Sequence, residues 1–215
     1  MSGTFTRIFA FFKRRFREKP LPGFLTALLL SVKYQAIVSP SADIRYPGRL
    51  KLGKGARIGR CTILCTGPIT LDQNAFVMEG SILDAQDGSI SLGKSTGIAP
   101  YCLLYGAGGL ELGDKVAVAA QCVFVASSHS HDRTDIPIMD QPIQAKGITI
   151  GSDVWFGTGC RVLDGTSIGD GSIIGAGSVV TRPIPPLSVA VGIPARVIRI
   201  RTDSNIHGGS LEPEK

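Results

Sequence analysis

The chain has 215 residues, 43% of them apolar and 19% charged, which is the size of one domain with enough apolar side chain to bury a core, so a disordered polypeptide is excluded. Glycine is over-represented, 27 residues or about 13% against a usual ~7%, with neither a collagen period nor a linker composition to explain it. The net charge of +6 is local: residues 1–19 hold six basic side chains against Glu18 alone (+5), leaving 6 − 5 = +1 on the other 196, a near-neutral body without the basic face of a nucleic-acid binder.

Residues 1–39 read as a basic, helical N-terminal segment. Phe5, Ile8, Phe9, Phe12 and Phe16 stand at helical spacing among basic residues, which predicts an amphipathic helix over 4–19 that Pro20 and Pro22 end. Such a helix suits either the surface of an anionic membrane or the open end of a core in need of a cap. The apolar stretch Phe24–Val38 predicts a second short helix. Its longest apolar run, Phe24–Val32, falls far short of the roughly 20 residues of a bilayer span and lacks a clear cleavage site, pointing to a cytoplasmic protein.

From residue 40 to 183 the sequence advances in steps of six. Ile150, Phe156, Val162, Ile168, Ile174 and Val180 fall on one phase, and four of them are followed by Gly. Val154, Cys160, Thr166, Ser172 and Ser178 repeat four residues later. The step recurs upstream as Leu52, Ile58, Leu64, then Leu71, Val77, Leu83, then Leu92, Ile98, Leu104, and Leu112, Val118, Phe124. Six fits neither a helix nor a plain alternating strand. It fits short strands joined by tight turns, with one aliphatic per strand pointing inward and stacked coils burying a continuous column. The phase breaks at residues 126–147, a polar segment that must bulge from the coil. Residues 184–201 follow as a closing edge strand, and 202–215 have the composition of a flexible tail. The five cysteines (61, 65, 102, 122 and 160) lack any C-x-x-C spacing and read as small apolar fillers, not disulfides or metal ligands.

Of three histidines, His207 belongs to the tail, while His129 and His131 sit at the start of the bulge. An imidazole is a suitable general base near neutral pH, and Asp132 or Asp135 stands close enough in sequence to orient one. Cys122, seven residues before His129, is a conceivable nucleophile for a covalent route.

The stretch Gly147–Ile200, with its blocks IGSDVWFG, IGAGSVVT and VGIPARVI, resembles the hexapeptide-repeat acyltransferases, and in particular the maltose, galactoside and polysaccharide O-acetyltransferases. The resemblance implies an all-β solenoid, a left-handed parallel β-helix of three strands per coil, assembled as a homotrimer. It implies acetyl-coenzyme A as donor, no metal, and a histidine as general base in direct transfer, with backbone N–H groups stabilising the oxyanion. SHSHDRTDIPIMDQ matches a family pattern with His129 in the histidine place, whereas spacing back from Trp155 points to His131. The donor would meet Trp155 and Gly157 of VWFG, Thr158 after it, Ala176, then Thr181 and Arg182, with Arg196 or Arg199 near its nucleotide end. The implied acceptor is a saccharide or a lipid-linked glycan of envelope polysaccharide synthesis. An amino-sugar N-acetyltransferase is the nearest alternative, and a non-catalytic β-helix scaffold a more distant one. A metal-dependent hydratase of the γ carbonic anhydrase type would need three histidines where the repeat body has two.

Overall fold

The structure is a computed structural model and describes residues 22–202; the helix expected over 4–19 and the tail after 202 lie outside the described residues. The described residues form a left-handed parallel β-helix of about eight turns with one short helix. The turns lay short strands on three flat faces, eight parallel strands on the first, seven on the second and six on the third, the last turns being incomplete. The first face runs from Ile37–Val38 through Ala117–Val118 and Trp155–Phe156 to Ser188–Val191. The second runs from Asp43–Arg45 to Val179–Val180, and the third from Leu50–Leu52 to Thr166–Ile168. We call the corner between the first and second faces the first corner, and that between the second and third the second corner.

The register converts sequence period into turn length. Val162 pairs with Val180, an 18-residue turn, whereas Ile58 pairs with Val77 and Leu104 with Phe124, turns of 19 and 20. Phe124 pairs with Val162, so that turn takes 38 residues, 38 − 18 = 20 more than a minimal one. The six-step residues Ile150, Phe156, Val162, Ile168, Ile174 and Val180 are all buried, as are Val154, Cys160, Thr166, Ser172 and Ser178 behind the corners. One upstream position departs from the expected phase: Ile63, not Leu64, points inward. The first corner of that turn is one residue shorter, so the step from Ile58 is five. Phe124 and Phe156 stack edge to face with ring centroids 5.2 Å apart, the largest side chains of the column.

The helix Gly23–Tyr34 closes the open end of this column. It buries Thr26, Ala27 and Leu30, and Tyr34 donates its hydroxyl to the Leu50 carbonyl at 3.2 Å. The expected continuation of the helix to Val38 is not formed. Gln35 adopts the left-handed conformation (φ 51°) that ends it, and Ile37–Val38 pairs with Arg57–Ile58 as the first strand of the coil. The coil therefore starts at residue 37, not at 40. At the opposite end Arg196–Ile200 runs antiparallel to Ser188–Val191.

Charge within the coil is polarised in a way that the near-zero sum conceals. Residues 22–66 carry Lys33, Arg45, Arg49, Lys51, Lys54, Arg57 and Arg60 against Asp43, 7 − 1 = +6. Residues 67–202 carry nine basic and twelve acidic side chains, 9 − 12 = −3. The turns next to the helix are strongly cationic and the rest of the solenoid is weakly anionic.

Candidate active site

The twenty surplus residues leave and rejoin the coil at the second corner. A two-stranded antiparallel ribbon, Ser128–His129 against Ile143–Gln144, forms the base of this excursion, with His129 opposite Ile143. Its far end closes around Gln141, whose side chain is buried although the loop is exposed. Gln141 Nε2 donates to the carbonyls of Arg133 (2.7 Å) and Ile136 (3.2 Å), and Oε1 accepts from the Arg133 amide (3.3 Å). A buried amide satisfied on both sides fixes the backbone it grips. The return is anchored by Asp164, whose Oδ1 accepts from the Lys146 and Gly147 amides, each at 2.9 Å. Gly147 takes φ +90°, where a side chain would meet the Gly108 carbonyl oxygen at 2.6 Å. Neither Gln141 nor Asp164 is assigned a role by the repeat pattern. Gln141 lies within the matched motif, directly before Pro142, and that placement is the one sequence signal it carries. Asp164 has none, since an acidic residue at a corner is ordinary turn composition.

His129 and His131 are both exposed at the mouth of the excursion. His129 sits on the paired ribbon, its backbone fixed by Ile143. His131 Nδ1 lies 3.2 Å from the His129 carbonyl oxygen; a proton held there leaves Nε2 as an acceptor. Asp135 is taken by Arg133 in an exposed ion pair (Nε to Oδ1, 2.9 Å), and the guanidinium holds its carboxyl below the ordinary range. Among the described residues, no carboxylate bonds either imidazole, so the orienting role expected of Asp132 or Asp135 is not filled within one chain.

Cys122 does not fit the covalent route. Its side chain is inside the coil with no exposed surface, and its thiol donates to the Gly157 carbonyl at 3.3 Å. Cys102 and Cys160 occupy the same place one turn below and above, donating to Ala119 and Gly175. Cys61, Cys102, Cys122 and Cys160 thus form part of an internal ladder behind the first corner, and Cys65 is buried at the second corner. Burial also pushes Cys61 and Cys65 up to about 12.

The expected donor residues divide between two edges. Thr158 and Ala176 stack at the first corner, where the Gly177 amide donates to the Thr158 carbonyl at 2.9 Å. Gly157 is required there, because a Cβ would come within 2.6 Å of the Ala176 nitrogen. The exposed Trp155 flanks this edge on the first face, and Arg196 and Arg199 lie on the closing strand beside it. Thr181 and Arg182 instead follow Val179–Val180 at the second corner, on the edge that carries His129 and His131. Arg201, not singled out by any sequence pattern, ties the closing strand to the coil through the Gly171 carbonyl and Asp153. A groove of about 450 Å³ opens between Ile37, Arg57 and Phe76 on the first face and Gly59, Met78 and Glu79 at the first corner, in the turns next to the helix.

Known proteins resemble this chain in sequence and in fold. The bacterial transferase hexapeptide family (six repeats) matches residues 147–182. The probable acetyltransferase Rv3034c of Mycobacterium tuberculosis is 32% identical over 154 residues, 72% of this chain and 51% of that protein. Galactoside O-acetyltransferase of Escherichia coli is 33% identical over 101 residues, 46% of this chain and 47% of that protein. The chain thus spans about half the length of these curated relatives. Among solved structures, the "putative acetyltransferase" encoded by the BC4754 gene of Bacillus cereus has a TM-score of 0.61 at 26% identity, covering 76% of this chain and 86% of the other. An N-acyltransferase from the same organism, solved with dTDP and 3-hydroxybutyryl-CoA, has the same fold (TM-score 0.60, 22% identity, 81% and 87% covered).

Proposed function

Because the chain belongs to the hexapeptide-repeat acyltransferase family, we propose that it transfers an acetyl group from acetyl-coenzyme A to a sugar hydroxyl in envelope glycan synthesis. The observation that carries this reading is the excursion at the second corner. A rigid scaffold spends twenty extra residues, internally braced by Gln141 and Asp164, to hold two exposed imidazoles at an otherwise minimal turn. Braced loops that present titratable groups from a rigid coil are where chemistry is expected.

In this scheme His129 removes the proton from the acceptor oxygen as that oxygen attacks the thioester carbonyl. Coenzyme A thiolate leaves as the tetrahedral intermediate collapses, and backbone N–H groups of the corner stabilise the oxyanion. The fixed ribbon position of His129 supports it as the base. The bond from His131 Nδ1 to the His129 carbonyl supports the second assignment, His131, because it sets the tautomer that a base needs. Thr158, Ala176 and Arg196 line one edge and the histidines another, so a site using both draws its edges from neighbouring copies, as in a homotrimer. Thiol release from acetyl-coenzyme A across nucleotide sugars, free sugars, lipid-linked oligosaccharides and amino sugars tests the reading. Turnover with hydroxyl acceptors supports it, turnover only with amines converts it to an N-acetyltransferase, and no release with any acceptor removes it.

A further inference from the structure

The helix that plugs the coil is apolar on its outward side as well as its inward side. Thr26, Ala27 and Leu30 face the column, while Phe24, Leu28, Leu29 and Val32 are 64%, 57%, 53% and 73% exposed. Phe24, Leu28 and Val32 follow one another at intervals of four, a single stripe along the helix. Ile37, 67% exposed on the first strand, continues it. The surrounding turns supply the cationic side chains, and Lys33, Arg45, Arg49, Lys51, Lys54, Arg57 and Arg60 are all exposed. Asp43, the one acidic residue of this region, is already paired with Arg45 (2.9 Å). An apolar ridge ringed by cationic side chains therefore forms one end of the solenoid.

We propose that this end is a docking surface for an anionic lipid bilayer, the ridge entering the headgroup boundary and the ring of Lys and Arg meeting the lipid phosphates. The charge pattern selects this occupant over the others. A second copy docked end to end would set +6 against +6, and residues 1–19, folded back on the ridge, would set +5 against it. Both are repulsive. A bilayer bearing anionic lipid offers negative charge and an apolar interior together, the complement of both features of this surface. The preceding residues extend the same composition, since Phe5, Ile8, Phe9, Phe12 and Phe16 alternate with six basic residues shortly before the helix. Several copies in one assembly would present several such ends on one side and multiply weak binding. Membrane docking at this end is independent of the chemistry at the corners.

The test uses the full chain and vesicles of phosphatidylcholine with or without phosphatidylglycerol at roughly a third of the lipid, with pelleting as the readout. Binding to the anionic vesicles alone, weakened by salt, is expected. Lys51→Gln with Lys54→Gln and Arg60→Gln removes three charges and is expected to lower partitioning roughly 100-fold at about 1 kcal/mol per residue. Leu28→Ser with Val32→Ser is expected to lower it at least about tenfold. Because all five native cysteines are buried, Val32→Cys gives a single accessible thiol for a polarity-sensitive dye, whose emission shifts to the blue on anionic vesicles. The dye reports contact even where the multiple variants fold poorly. Full binding by the triple-Gln variant would assign the membrane contact to residues 1–19 and overturn the proposal. Unchanged binding by the Leu28/Val32 variant would make the end a purely electrostatic patch, as for an acidic protein, and also overturn it. So would an unshifted dye, or a mass in solution showing that the ridge is covered by a second assembly.

Discussion

Two residues apart in sequence, His129 and His131 meet different constraints, one held by strand pairing and the other by a bond through its own ring. His129→Ala is expected to lower turnover by roughly 10²–10⁴ with donor binding retained, and His131→Ala by less than about tenfold; steady-state kinetics that reverse the two would move the base to His131. Both histidines are legible in the sequence because they stand where a six-residue phase fails. The occupation of Asp135 by Arg133 is not, since a local turn sets that pairing and no period encodes it. Cys122 keeps a chemical role at the level of sequence for a related reason, because spacing along the chain carries no sign of which side of a strand end faces the column. The buried thiols carry their own expectation. Cys61 and Cys65, raised to about 12 from an ordinary 9, leave about one thiolate in 10⁴ at roughly pH 8. Ellman's reagent should therefore titrate no thiol in the native protein and all five after denaturation. The raised thiols favour the fold below pH 9, and that contribution is lost as pH rises from about 9 toward 12. Thermal melts should fall in this window, and Cys61→Ser with Cys65→Ser should flatten the fall.

At the scale of elements, the six-residue step holds wherever a corner has its standard length, as from Ile150 to Val180. It slips by one at Leu64, where a shortened first corner changes the phase without changing the composition. The closing of the solenoid is legible only in part. The sequence contains two candidate helices and a core in need of a cap; among the described residues Gly23–Tyr34 meets the column, and its small residues Thr26 and Ala27 allow close approach to the first turn. The excursion is the least periodic element and the most cross-braced. Gln141→Ala removes three hydrogen bonds from one buried side chain, and unpaired backbone groups left behind cost about 1–3 kcal/mol locally. Catalytic efficiency is expected to drop by about one to two orders of magnitude as the loop loosens. The melting temperature of the coil should change little, because the turns above and below remain paired through Phe124 and Val162. A parallel loss of both quantities would show that the excursion supports the fold as a whole.

For the molecule as a whole, the division of candidate site residues between two corners leads to an expectation about assembly. Light scattering should give three times 22.7 kDa, and mixing a His129→Ala chain with a chain altered at Thr158 and Ala176 should restore part of the activity that each lacks alone; an active monomer, or no restoration in mixed assemblies, would place the site within one chain. The two ends of the solenoid have a different consequence. A stack of parallel strands is a one-dimensional crystal, and each end is a growth face that could accept another molecule without limit. Here one face is poisoned by a helix, which offers no strand edge at all. The other is terminated by a strand laid against the growth direction, with Arg196 and Arg199 in it and Arg201 directly after it, three like charges in six residues. Length is thus fixed by chemistry at the ends, and a repeat that could propagate into a fibre stays a molecule.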